Sequence, residues 1–115
     1  MRKTDKKLDN QIIETLTDVC DNALKQFEGF QWLTHLVDYS RFPKSLQVVC
    51  VFETNDELSD LVAAKHDHEF NLLIQKSLSK IGISILSRQV SFDTEENCKK
   101  ANGGKWPDRF SNQIS

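Results

Sequence analysis

Apolar residues recur at steps of three and four from Leu8 to Phe27: Leu8, Ile12, Leu16, Val19, Ala23 and Phe27, with Ile13, Cys20 and Leu24 widening the stripe. Asp9, Glu14, Asp18, Asp21 and Lys25 fall mainly elsewhere on the wheel. That period predicts an amphipathic helix from Asp5 to Phe27, stopped by Gly29. One apolar stripe needs one surface, so the helix is expected to cover one face of a sheet. Phe30 to Tyr39 is rich in aromatic and β-branched residues and reads as a strand. Ser40 to Ser45 reads as a loop in which Pro43 holds Phe42 extended. Leu46 to Phe52 is short, apolar and β-branched. It predicts a buried central strand, returning antiparallel to the first.

Thr54 and Glu57 have the spacing of a capping box, and Asp56 and Glu57 suit the positive end of a helix dipole. Leu58, Leu61 and Val62 begin an apolar face, Lys65 to Glu69 is polar throughout, and Phe70, Leu73, Ile74 and Leu78 resume it. The pattern fits one long helix with a solvated centre, or two helices with a break near Lys65 to Asp67, ending at Gly82. Ile83 to Ile85 and Val90 to Phe92 alternate, as one bent strand or two short ones would. Asp93 is placed to cap a last helix, Thr94 to Ala101, which Asn102-Gly103-Gly104 ends. The expected organisation is a basic, flexible arm at 1–7, one α+β domain at 8–93, and a short helix with an aromatic, basic tail at 94–115. The domain's order is α-β-β-α-β, with a small antiparallel or mixed sheet and helices packed on one face.

Length and charge narrow the picture. The 115 residues suit one domain with its own core. A net charge of -2 argues against a broadly basic surface and leaves room for local patches. No apolar run approaches the roughly 20 residues that cross a bilayer, so no membrane partner is expected. The charged start Met-Arg-Lys-Thr-Asp-Lys-Lys has no apolar segment behind it, so no secretory signal is expected. Cys20, Cys50 and Cys98 are odd in number and form no CxxC pair. That disfavours a disulfide framework or zinc knuckle and points to a reducing, cytoplasmic setting. Cys20 and Cys50 read as small core residues and Cys98 as an exposed thiol.

His66-Asp67-His68-Glu69 is the densest set of candidate ligands. Two His one residue apart sit about 200° apart on a helix, and HExxH spacing is absent, so no metal is expected there. His35, in the first strand, could join them only by tertiary contact. Asp93, Glu95 and Glu96 flank Cys98, but no His follows His68 to activate that thiol, and the acids read as helix caps. No P-loop, GxGxxG or GxSxG occurs. The chain therefore reads as non-enzymatic, without a cofactor. Lys6, Lys7, Arg88, Lys99, Lys100, Lys105, Trp106 and Arg109 are the candidate contacts to RNA or DNA, as charge for phosphate and a ring for stacking. Trp106 and Phe110 could instead fold back over the core edge, or pack on a second subunit of a homodimer. Trp32, Tyr39 and Phe42 read as core and loop anchors.

The first helix, the hairpin Phe30 to Phe52, the capped helix from Asn55 and the strand ending Val90-Ser91-Phe92-Asp93 follow one another in an order that resembles the type II KH-like arrangement of ribosome-binding factor A. The resemblance covers roughly residues 8–93 and implies a nucleic-acid or ribosome-associated role. Met-Arg-Lys-Thr-Asp-Lys-Lys and Asp93-Thr94-Glu95-Glu96-Asn97-Cys98 are also similar to stretches of short bacterial proteins labelled Fis-like regulators. Fis places a helix-turn-helix at its C-terminal end, where this chain has a strand pattern and a Gly-Gly tail. The expected function is thus that of a non-enzymatic binding protein, nucleic-acid or ribosome associated, in the manner of a regulator. The alternative is a protein-interaction or homodimerisation module with no nucleic-acid role.

Overall fold

The computed structural model describes residues 2–111 and begins with a 24-residue helix, α1 (Lys3–Gln26). Its buried residues Ile12, Leu16, Val19 and Ala23 are the centre of the apolar stripe. The helix starts two residues earlier than the expected Asp5, so Lys3 and Thr4, assigned to the arm alone, belong to its first turn. No glycine or proline interrupts Thr4 to Leu8, and exposed lysines are good helix formers. Gly29, at φ 86°, then turns the chain. A Cβ there would lie 2.5 Å from the Glu57 side chain, so both the turn and the close approach call for glycine.

Three strands follow in the sheet order β1-β2-β3: β1 (Phe30–Leu36), β2 (Gln47–Phe52) and β3 (Val90–Thr94). β1 pairs antiparallel with β2, with a shift of register between Phe30 and Trp32, and β2 pairs parallel with β3. The sheet is therefore mixed, and the valine-rich segment at mid-chain is its central strand. β1 stops short of Tyr39 because Asp38 caps a 3-10 turn, Tyr39–Arg41, by accepting from the Ser40 amide at 3.0 Å.

The parallel crossover is made by α2 (Asn55–Ala63) and α3 (His66–Ser79). Of the two arrangements the polar centre allowed, the structure has the broken one: Lys65 sits between the helices in the left-handed region at φ 63°. Thr54 caps α2, accepting from the Glu57 amide at 3.2 Å, and its hydroxyl meets the Glu57 carboxylate at 3.0 Å. Ile83 and Ile85 are buried, but Ile83–Leu86 joins no ladder and is not a strand. Its alternation marks side chains plugged into the core while the backbone returns to the sheet. A 3-10 turn, Ser87–Gln89, leads into β3.

α4 (Glu95–Asn102) is capped by Thr94, not Asp93: the Thr94 hydroxyl accepts from the Asn97 amide at 3.0 Å. Asp93 is held elsewhere, as described below. Gly103, at φ 60°, closes the helix, and α5 (Trp106–Ser111) follows. Cys98, expected to be exposed, has no exposed surface, because α4 turns it inward against the domain. Cys20 is only half-buried and Cys50 is fully buried.

Val48, Cys50 and Phe52 of β2 face α1 and α3 in one core. Phe27 stacks on Phe70 at 4.6 Å, and Phe30 meets Phe70 edge-on at 5.1 Å. Each such ring stabilises the fold by roughly 1.5–3 kcal/mol. By register, Trp32, Thr34, Val49, Val51, Ser91 and Asp93 lie on the opposite face. The two long helices thus share one face as expected, and α5 adds a cover on the other. Among the described residues no helix is long and apolar enough to cross a membrane.

Candidate nucleic-acid interface

The sheet has two unlike ends. At one, β2 and β3 begin and β1 finishes. Asp9 of α1 reaches this end and accepts from His35 Nε2 at 2.8 Å and from the Tyr39 hydroxyl at 2.5 Å, both on the same Oδ1. The Tyr39 bond, then the His35 bond, hold the Asp9 carboxyl below the usual carboxylate range. Burial, and then the bond to Asp9, push the Tyr39 hydroxyl upward. These bonds fix the first turns of α1, with Lys6 and Lys7, at the end of β1.

A second staple acts beside it. Gln89 Nε2 donates to the Pro43 carbonyl at 2.9 Å and the Leu46 carbonyl at 2.8 Å, while Gln89 Oε1 accepts from the Leu86 amide at 2.8 Å. The turn carrying Arg88 is thereby tied to the loop carrying Lys44. Lys6, Lys7, Lys44 and Arg88 are exposed and make no ion pair among the described residues. Three carboxylates near this end are engaged: Asp5 with Arg2 at 3.4 Å, Asp9 as above, and Asp38 with Ser40 and with Arg41 at 3.2 Å.

The other end, where β2 and β3 finish, is cross-linked within itself. Glu95 accepts from two indoles, Trp32 Nε1 at 2.6 Å and Trp106 Nε1 at 3.2 Å. Trp106 meets the Trp32 ring edge-on at 4.9 Å, and Phe110 lies 5.2 Å from Trp106. Arg109 forks onto Asp93 at 2.6 and 3.0 Å and reaches Asn102 Oδ1 at 3.1 Å. The Asp93 bond holds the Arg109 proton more firmly than usual. The tail thus folds back over the sheet.

The starts of α2 and α4 also interlock. Glu96 Oε1 accepts from the Asn55 amide at 2.9 Å, Thr94 Oγ1 donates to Asn55 Oδ1 at 2.6 Å, and Asn55 Nδ2 donates to Asn97 Oδ1 at 2.9 Å. The Asn55 amide, then Lys100 at 2.9 Å, lower the Glu96 carboxyl from its ordinary range. A shallow hollow of about 430 Å³ here is lined by Glu53, Thr54, Glu95, Glu96, Lys99 and the Gly103–Gly104 pair, so its lining is acidic and disfavours phosphate.

The eight candidate contacts therefore divide. Lys6, Lys7 and Arg88 belong to the first end. Lys99, Lys100, Trp106 and Arg109 on α4 and α5, with Lys105 in the link between them, gather at the second, where Lys100, Trp106 and Arg109 are engaged with carboxylates. Lys44 joins the first set only through the Gln89 staple, a contact with no local signature. The second end did have one: Phe52-Glu53-Thr54 and Phe92-Asp93-Thr94 repeat the same phrase where a strand hands over to a capped helix.

Elsewhere the reactive side chains are quiet. Burial pushes up all three thiols, Cys20, Cys50 and Cys98, away from the nucleophilic thiolate. His66 and His68 are exposed at the start of α3, while His35 is bound to Asp9. Among the described residues no three His, Cys, Asp or Glu side chains are grouped to hold a metal ion. Compared with known proteins, the chain matches no family model, no curated protein and no solved structure.

Proposed function

We propose that the chain is a non-enzymatic binding protein whose ligand is a nucleic acid, held at the end of the sheet where β2 and β3 begin. One observation carries this reading. Three segments distant in sequence are tied together by Asp9 and Gln89 and bring Lys6, Lys7, Lys44 and Arg88 to one end, where Asp5, Asp9 and Asp38 are already engaged. Unneutralised cations on a fixed frame gain most from a polyanion, because binding releases its condensed counterions. RNA is the first polymer to test, since the element order resembles the type II KH-like arrangement. The turn between α2 and α3, where KH domains place a glycine loop, is Ala64-Lys65 in this chain, and its exposed Lys65 is a further candidate contact.

The test is fluorescence anisotropy with labelled single-stranded and duplex RNA and DNA across a salt series. Four phosphate contacts to a single strand predict a slope of log K on log salt of about -3. Lys44→Glu with Arg88→Glu is expected to weaken binding by about tenfold or more, while Lys99→Glu with Lys105→Glu has a smaller effect. Absence of binding to every polymer at low salt, or equal losses from both pairs, would overturn the assignment.

The second reading is a protein-interaction or homodimerisation module. The open outer edge of β1 favours it. Light scattering that finds a tight dimer, together with no polymer binding, would put it first.

A further inference from the structure

The segment Ile83–Leu86 returns along one flank of α3, and a groove of about 490 Å³ lies between the two. The segment is anchored at both ends. The Ile83 amide donates to the Leu78 carbonyl at 3.0 Å, at the end of α3. At the other end Asn71 Nδ2 donates to the Ser87 carbonyl at 3.0 Å and to the Ser87 hydroxyl at 3.3 Å. Asn71 Oδ1 in turn accepts from Gln75 Nε2 at 2.6 Å, and Gln75 lines the groove. Arg88 of the cationic end follows Ser87 in the same turn, so the groove leads towards that end.

The walls of the groove carry one sign of charge. Leu72, Lys76 and Lys80 stand four residues apart and form one ridge of α3. Gln75 and Ser79 line the groove from the next ridge, and Ser84 and Ile85 from the returning segment, so no carboxylate is among its lining. The acids of α3 itself, Asp67 and Glu69, stand in its first turn, and Glu69 is about 10 Å along the axis from Lys76. Neither lysine makes an ion pair among the described residues. The helix end has its own donors, since the carbonyls of Lys76, Leu78 and Ser79 accept from the amides of Lys80, Ile81, Gly82 and Ile83. Two apolar side chains complete the surface: Leu72 is 37% exposed and Leu86, next to Ser87, is 53% exposed.

We infer that a nucleic-acid strand bound at the cationic end runs on into this groove, with Lys76 and Lys80 on its phosphates and Leu72 and Leu86 against its bases. The inference rests on the nucleic-acid reading and narrows it to one ligand class, a single strand. One helical turn separates the two lysines, about 6 Å along the axis, which matches the step between neighbouring phosphates of a strand. A base rests on a leucine side chain only when it is unpaired and unstacked, whereas a duplex keeps its base faces inside. Gln75, Ser79 and Ser84 add donors that suit phosphate and sugar oxygens of any sequence.

The probes are a fluorescein-labelled oligouridylate and a blunt RNA duplex, titrated by anisotropy against the whole chain. Two further phosphate contacts steepen the single-strand slope of log K on log salt from about -3 to about -4. Lys76→Gln with Lys80→Gln is expected to return that slope to about -3 and to weaken single-strand binding about tenfold at low salt, with duplex binding unchanged. Leu72→Ser with Leu86→Ser is expected to weaken the single strand severalfold at an unchanged slope, because no charge is lost. All four positions are exposed, and a circular dichroism melt that matches the parent's shows each variant folded. The inference is overturned if the lysine pair costs the strand nothing, if it costs strand and duplex equally, or if the leucine pair has no effect. The cationic end then still stands or falls on its own Lys44 and Arg88 variants. Absence of binding to either probe overturns both this inference and the reading beneath it.

Discussion

The two ends of this sheet carry similar kinds of charge and use them differently. Where β2 and β3 finish, Glu95, Glu96, Asp93, Lys100 and Arg109 are tied to one another, to two indoles and to the starts of two helices. Where β2 and β3 begin, only the carboxylates are tied, and Lys6, Lys7, Lys44 and Arg88 face solvent. Charges where the strands finish act inside the fold, while the cations where they begin face solvent. A near-neutral chain can group cations locally when nearby acids such as Asp9 and Asp38 are held by tyrosine, histidine and serine donors.

The largest stability effect should come from the interlocked end. Thr94 has no exposed surface, caps α4 and donates to Asn55. Thr94→Val keeps the shape and removes both bonds, leaving the Asn97 amide and Asn55 Oδ1 short of a partner. A loss of about 2–3 kcal/mol in urea denaturation is expected. Lys44→Glu, at the cationic end, should stay within about 0.5 kcal/mol of the parent. If the two variants lose equal stability, the ends do not differ as described.

A middle-sized effect tests the tail. Trp106→Ala removes a ring from Trp32 and one donor from Glu95, at a cost of about 1–2 kcal/mol. Trp32 is then the only tryptophan left, so its emission reports directly on the loss of cover and should shift to the red. Unchanged emission would mean that α5 does not shield that face.

How far the sequence foretold each end follows from the range of the contacts. α1, the Thr54 box and the central strand are visible in residues that lie within a few positions of one another, where periodicity and capping act. The cover over Trp32 depends on Glu95, 63 residues away, so the tail pattern favoured core cover but left base stacking and dimer contact open. Cys98 looked exposed because its neighbours are polar, yet the face of α4 that turns inward is chosen by the Thr94 and Asn55 contacts. The Ile83–Ile85 alternation had the right burial and the wrong backbone, since a strand also needs a partner within reach. Lys44 and Arg88 become neighbours only through Gln89, whose role no local rule announces.

The smallest effect concerns the carboxylate that frames the cationic end, and its sign is fixed by proton linkage. Tyr39 and His35 depress the folded-state ionisation of Asp9 below the ordinary 3.8. A depressed carboxylate contributes stability that is fully present above its unfolded value and is lost as pH falls through its folded one. Asp9→Asn keeps an acceptor oxygen but not the charge, so it should cost about 1 kcal/mol near neutral pH. The difference between parent and variant should stay constant down to about pH 4 and then close as the parent's own carboxyl is protonated. Urea midpoints of both proteins across this range make the check. A difference that persists in acid would show that Asp9 acts there through shape alone. Nucleic-acid binding at neutral pH provides the second readout. Asp9 touches none of the four exposed cations in an ion pair, so the variant should lose affinity only as far as the first turns of α1 lose their position. A rise in affinity would instead mean that the Asp9 charge had been opposing the ligand directly.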